Sequence, residues 1–538
     1  MPDRYLIHPA IGVARIGDST DQGYDGPERY DQDFVPAMRR DGEHKIRRQA
    51  AVFKIYKYTY STETAAKTFG ARARAIEEVT LDKVKKISWT IHIANRKSFV
   101  GVLANPTCDL PTDAMRAAAG AIDPGPRPIE ATNGEPPPAP QLLSDKAFKN
   151  LLGDGAPTVR LGEISTDAAG HLRVLGGHGM SGKAPGAGPP DALRNQLWWD
   201  DVADGWIEAE VTFNDDSTAK PVGAWVATGV PDFAHAIEAP ITVYERALDI
   251  AAQGPFASVH GIAVAPYHVT ADRPSFVAHI WRVLHAAEMT RFASSFLQTF
   301  YDVSPAPTPP IHHFTDRLAL LQSATPDSPA RKAARQHIFD NLRTPPPGPP
   351  GAGNMPYLHL VPGAADRGLS LLETQYKFFH KWVAGHFDED SPAGPSQSTP
   401  RQLDNAHMRS MVGGAFYPGI EVGENMAGVS NWEEPFRIRH KDAAGNSTAG
   451  LMGSTLAVPW QSDFLMCSPD PNNAGGWWPS HRPDSILPET AATPTSYVPW
   501  FVGNQEDMRT KWQTLGFLTK GTIASTTVYK ELEHFPPR

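Results

Sequence analysis

Hydrophobic and polar positions alternate most clearly in the first half of the chain. Ile87-Ser-Trp-Thr-Ile-His-Ile-Ala94 sets an apolar side chain on every second residue, the period of a half-buried strand. Ala51–Tyr60 alternates in part. Leu172–Leu175, Trp206–Phe213 and Gly223–Thr228 have the aromatic and β-branched content of further strands. Between the first two strands, residues 63–75 predict a short helix, and the Pro-rich residues 124–140 predict an exposed loop. The period changes after Ile241. Val243–Ala252, Phe276–Phe300 and Leu369–His386 carry apolar residues at helical spacing, and Thr344-Pro-Pro-Pro-Gly-Pro-Pro-Gly-Ala-Gly353 reads as a linker over 344–354. The pattern predicts an α+β protein. Its β-rich N-terminal domain spans 1–240, and a mixed helix/strand, loop-rich domain spans 241–538. No internal repeat is evident.

Composition changes this picture little. The 51 prolines and 45 glycines among 538 residues fit a loop-rich globular protein, because aromatic and β-branched segments recur between them. A net charge of −9 argues against nucleic-acid binding. The densest basic patch, Arg39-Arg40 with Lys45, Arg47 and Arg48, reads as a solvated face. No apolar run approaches the roughly 18 residues that a membrane span requires. The start of the chain shows no signal peptide, so a cytoplasmic protein is expected, with export by a signal-independent route left open. Gly176-Gly-His-Gly-Met-Ser-Gly-Lys183 lacks the pattern of a phosphate loop and reads as a turn.

The candidate chemistry lies near the C-terminus. Only two cysteines occur. Cys108 reads as a plain thiol. Cys467 follows Asp463 by four residues in Trp460-Gln-Ser-Asp463-Phe-Leu-Met-Cys467 and precedes Trp477-Trp478 by ten. A buried cysteine is more often a small hydrophobe. A thiolate is also a nucleophile, and an oxidised indole an electrophile; joined by a thioether they form a quinone from the protein's own side chains. Metal chemistry has little support, since H-E-x-x-H and C-x-x-C are absent and His312-His313 do not share a helix face. The Asn-Tyr core of a topaquinone motif and Gly-rich dinucleotide fingerprints are absent as well, so no metal, NAD or flavin is expected in this chain.

Seven segments, in order, carry a resemblance. They are Ile7–Ser19, Ile46–Tyr56, Trp89–Lys97, Pro231–Ala234, Gln375–Phe387, Gly413–Glu421 and Trp460–Asp484. Together they make the chain similar to the cysteine tryptophylquinone-dependent amino-acid oxidases, typified by L-lysine ε-oxidase and glycine oxidase. The resemblance implies that Cys467 is cross-linked to Trp477 or Trp478, with the choice between the two open. It implies that Asp463 is needed to build the cofactor and that a separate flavoprotein matures it. Other members carry long insertions between the cysteine and the tryptophan; this chain is compact there, which leaves the substrate undefined.

A quinone attracts primary amines. The amine adds at a carbonyl, a base removes the proton from the carbon bearing nitrogen, and the ring accepts the electrons. Oxygen then restores the ring, and the products are a carbonyl compound, ammonia and hydrogen peroxide. Asp463 is the first candidate base: beside Phe464, Leu465 and the indoles, desolvation is expected to raise its pKa, although the residue is expected to stay surface-accessible. His481 is a second acid/base candidate, with a structural histidine as the competing reading. Arg482 offers a bidentate grip on a carboxylate or, equally, a fixed turn. His407, Tyr417, Tyr529 and His534 have suitable chemistry but no assignable place. The competing functions are a non-catalytic member acting as a binding or scaffold protein, and an oxidase of a biosynthetic amine intermediate. Homo-oligomerisation is left open.

Overall fold

The structure is a computed structural model that describes residues 2–29, 38–100, 112–191, 194–252, 256, 263–264, 273–295, 297–298, 314–345, 370–390, 399–413, 421–422, 424–466 and 482–535. Its fold is α+β. Thirteen strands form the main sheet among these residues: β1 (Asp3–His8), β2 (Ile11–Arg15), β3 (Tyr24–Asp25), β4 (Gln49–Thr59), β5 (Ala75–Val79), β6 (Lys86–Ala94) and β7 (Arg127–Thr132) come first. They are followed by β8 (Gln141–Lys146), β9 (Thr158–Thr166), β10 (Leu172–Gly176), β11 (Asp204–Thr212), β12 (Thr218–Ala219) and β13 (Ala224–Gly229). The main path runs β7-β6-β11-β13-β2-β4-β10-β9-β8. Neighbours along it are antiparallel except β13 with β2, where Trp225 faces Ile11.

Alternation sets the register. In β6, Ile87, Trp89 and Ile91 point into a core shared with Phe53, Ile129 and Val211. The same alternation corrects the expected loop at 124–140. Residues Arg127–Thr132 pair with β6 at the sheet edge, with Ile129 and Ala131 inward and Pro128 opposite Thr90. An edge strand tolerates a proline because no ladder donor is needed on its outer side. The helix expected at 63–75 is confined to Glu63–Ala66. Gly70, at φ 79°, turns the chain back, and β5 then pairs with β4 through Val79 opposite Ile55.

The other face of the sheet packs on helices. They are α1 (Val243–Ala252), α2 (Arg282–Met289, entered through a π turn at Phe276–Trp281), α3 (Pro329–Asp340), α4 (Glu373–Val383) and α5 (Thr399–Arg409). The single helix expected over 276–300 is thus segmented, with a 3₁₀ turn at Thr290–Phe292 after α2. Ile11, Val13 and Trp225 of the sheet share one core with Leu248 of α1 and Phe379 and Trp382 of α4, so apolar packing continues across position 240. After α6 (Trp460–Met466), a four-stranded sheet closes the chain: β14 (Ser485–Pro488), β15 (Val498–Pro499), β16 (Phe517–Ile523) and β17 (Thr526–Leu532), with α7 (Gln505–Lys511) between β15 and β16. No helix among the described residues is long and apolar enough to cross a membrane.

Candidate active site

Asp463 lies on α6, a helix whose first turn takes its support from distant parts of the chain. The opening N–H groups of any helix lack intrahelical acceptors. Here the Trp460 N–H donates to Asp200 Oδ2 at 3.0 Å. That oxygen also accepts from Lys97 Nζ at 2.7 Å, in an ion pair that is fully buried. Lys97 Nζ donates as well to the Ala457 carbonyl at 3.0 Å. Asp200 Oδ1 accepts from Asn95 Nδ2 at 2.9 Å, and the Asn195 side chain holds the Val458 carbonyl at 3.1 Å. On the next residue, Gln461 Nε2 donates to the Gly179 carbonyl at 2.8 Å. Gly179 sits at φ 73°, and a Cβ there would lie 2.2 Å from the Trp512 ring, so only glycine fits this contact.

The apolar side of α6 is aromatic. Trp460 meets Trp512 edge-on at 5.4 Å, and Phe464 meets Trp500 at 5.8 Å and Phe233 at 5.9 Å. Asp463 is 1% exposed, which corrects the expectation of a surface-accessible carboxylate. The helix is clamped on both sides, so its one acidic residue is carried into the interior. Arg482 is buried as well. Its Nε donates to the Phe464 carbonyl at 2.9 Å, another guanidinium nitrogen bonds the Pro483 carbonyl, and the group lies 5.5 Å from the Trp500 ring centre. These contacts favour the fixed-turn reading of Arg482 and pin the end of α6.

The aromatic cluster leads to a cavity. Phe233 stacks on Phe517 at 5.0 Å, and Phe517 lines a cavity of about 470 Å³. Its walls include Arg15, Tyr24, Arg39, Arg47, Asp232, His235, Glu238, Arg409, Lys520 and Tyr529. Asp463 is not among the lining residues. Arg15 is committed to Glu421 at 2.7 Å and to the Val230 carbonyl at 2.7 Å. Burial, reinforced by Arg39, pushes the His235 imidazole down to about 3, so it is uncharged at neutral pH. Cationic side chains outnumber acidic ones in these walls, which suits a ligand with an anionic end.

Arg39 and Arg47 of the basic patch in the N-terminal segment line this wall, contrary to the solvated face expected. Arg39, Arg40 and Arg48 are buried. Arg40 donates to the carbonyls of His44, Gln513 and Leu515 at 2.6, 3.0 and 2.7 Å, and Arg39 lies over Phe517. Carbonyls that arrive from the far end of the chain offset the burial of Arg40.

Residues 8–228 match the family described as L-Lysine epsilon oxidase N-terminal, and residues 352–485 match the L-lysine epsilon oxidase C-terminal domain. The chain belongs to the L-lysine ε-oxidase family. It is 25% identical over 540 residues to the L-lysine 6-oxidase of Marinomonas mediterranea, covering 86% of this chain and 71% of that protein. Two solved structures of the L-Lys ε-oxidase of that organism share the fold. One, of the Schiff base intermediate with L-Lys, gives a TM-score of 0.69 and the other 0.71; each is 20% identical and covers 98% of this chain and 95% of the other.

Within this amino-acid oxidase family, the sequence-derived candidates fall into three groups. Cys467, Trp477, Trp478, His481 and Tyr417 lie outside the described residues, as do Cys108 and His312-His313. Asp463 and Arg482 meet at α6, and Tyr529 lines the cavity, 4.9 Å from Phe292. His407 and His534 have structural settings. His407 is buried, accepts from the Val13 N–H at 3.1 Å and is pushed down by burial to about 4; His534 pairs with Glu531 at 2.9 Å, which raises its pKa. Sequence reasoning missed Lys97, Asp200, Arg39 and His235. Lys97 stood inside a family-like segment, yet its partner lies 103 residues away. No group of three or more potential metal ligands occurs among the described residues.

The glycine-rich turn at 176–183 holds a carboxylate of the chain itself. Asp201 Oδ2 accepts from the N–H groups of His178 and Met180 at 2.7 and 3.0 Å. Burial pushes Asp201 up to about 7, against the pull of those two donors.

Proposed function

We propose that this chain is a quinoprotein oxidase that deaminates a primary amine, most simply an amino acid, with oxygen as acceptor. Cys467 and one of Trp477 and Trp478 would hold the cofactor as a thioether-linked cysteine tryptophylquinone. When present, that group supplies a carbonyl electrophile for the amine and a sink for two electrons. The observation that carries the reading is a buried carboxylate, Asp463, fixed on a clamped helix and four residues before Cys467 in the sequence of a chain of the L-lysine ε-oxidase family. The aromatic bed of Phe233, Phe464 and Trp500 suits a planar ring and keeps water away from the carboxylate.

Asp463 accepts the proton from the carbon that bears the amine nitrogen. The guanidinium-rich cavity beyond Phe517 receives the anionic end of the substrate. The products are a carbonyl compound, ammonia and hydrogen peroxide, and a separate flavoprotein completes the cofactor.

Peptide mapping of the protein co-produced with that flavoprotein tests the reading. Cys467 is expected to resist alkylation and to be joined to a tryptophan of 477–478, with two oxygens gained. A freely alkylated Cys467 in an active preparation would overturn it. In the same preparation Asp463→Asn, which preserves volume in a buried site, is expected to fold and to lose turnover by about 10²–10⁴-fold, the range for removal of a general base.

A further inference from the structure

The Lys97–Asp200 pair sits where stability alone gives little reason for it. Removing two charges from water costs more than their attraction reliably returns, and well-packed apolar residues of similar volume often do as well or better. What an ion pair adds is direction. Asp200 Oδ2 accepts from both Lys97 Nζ (2.7 Å) and the Trp460 N–H (3.0 Å), while Lys97 Nζ also donates to the Ala457 carbonyl (3.0 Å). Two side-chain atoms therefore fix the backbone on both sides of the entry into α6.

The pair is itself held without slack. Asp200 Oδ1 accepts from Asn95 Nδ2 at 2.9 Å and from the Val202 N–H at 3.3 Å, and Asn95 Oδ1 accepts from the Lys97 N–H at 2.9 Å. Asp200 ends the short strand Trp198–Asp200, and Lys97 follows β6 by three residues, so the anchor belongs to the sheet region. α6 thus takes its first-turn acceptor from a residue 260 positions away.

We infer that Lys97 and Asp200 are positioning residues for the reaction proposed above, setting the entry into α6 and hence the carboxylate of Asp463 in its first turn. The inference rests on that reading of Asp463. A reacting group displaced by about 1 Å can lose on the order of 100-fold in rate, so an anchor this close to the base acts on turnover before it acts on binding.

The charge-free double variant Lys97→Met/Asp200→Leu separates positioning from support. It removes the ion pair without leaving a buried charge behind, but the Trp460 and Val202 N–H groups and Asn95 Nδ2 lose an acceptor, so the fold is expected to persist with a lowered thermal midpoint. Turnover is expected to fall by about 100-fold at unchanged KM. A folded double variant with full turnover would overturn the inference. Should that variant not fold, hydrogen exchange in the unaltered holoprotein decides. The Trp460 amide is expected to exchange as slowly as the amides of β6, and rapid exchange there would overturn the inference. If the unaltered chain lacks both the cross-link and turnover, the proposed function fails. If it has both and the double variant is indifferent, only the positioning role fails.

Discussion

Asp200 and Asp201 are consecutive, both fully buried, and serve two different regions. Asp200 faces the entry of α6, where it meets an ammonium, a side-chain amide and two backbone N–H groups. Asp201 faces the glycine-rich turn, where it accepts from the N–H groups of His178 and Met180, and burial pushes it up to about 7. Burial is the same for the two; the partner differs. A buried carboxylate beside a cation can serve as a rigid anchor, whereas one held by backbone dipoles alone becomes sensitive to pH near neutrality.

The comparison is broken most forcefully by Lys97→Met alone. The Asp200 carboxylate would lose its cation while remaining buried, and a loss of about 3–5 kcal/mol is expected, a large share of ordinary domain stability. Chemical denaturation measures it. A loss below about 1 kcal/mol would place Asp200 in the same class as Asp201, in which backbone donors suffice.

A smaller effect is expected from Asp201→Asn. With its folded pKa above the ordinary carboxylate range, Asp201 makes the folded state bind more protons than the unfolded state across the interval up to about 7. Stability therefore falls as pH rises through that interval and levels off above it. Asp201→Asn should flatten this slope. At pH 8 it should gain of the order of 1 kcal/mol, once the poorly paired amide is set against the relieved charge. Melting curves from pH 4 to 8 check this, and an unchanged slope would mean that Asp201 stays ionised throughout.

The smallest effect marks the baseline. Glu506 and Arg509 form an exposed i,i+3 pair on α7, near the same turn. Glu506→Gln should change stability by less than about 0.5 kcal/mol at any pH, because exposed pairs contribute little. A larger change would show that the surface around the turn is not passive.

Strands that alternate and face one core were legible in the sequence, as at Ile87–Ala94 and Trp206–Phe213, because burial on one side imposes the period. The edge strand at Arg127–Thr132 was obscured by Pro128, which an outer strand accepts and an inner one does not, and by the prolines on either side of it. At the candidate site, Asp463 was legible from its place before Cys467, but its burial was not. The charged interior was the least visible part. A sequence shows that Arg40 and Lys97 are cationic, but not that the carbonyls of Gln513 and Leu515 or the carboxylate of Asp200 will be brought to them.

The contacts of Arg40 also bear on the order in which the molecule can be completed. Two of its acceptors, the carbonyls of Gln513 and Leu515, follow it by 473 and 475 residues. At a synthesis rate of about 5–20 residues per second, roughly half a minute to a minute and a half separates the arginine from its acceptors on the ribosome. During that interval the sheet around β4 can assemble, while the wall that Phe517, Thr519, Lys520 and Tyr529 give the cavity has yet to be made. The cavity therefore closes only once β16 has been made, and a chain that stops short of residue 513 would leave Arg40 without the carbonyls of Gln513 and Leu515.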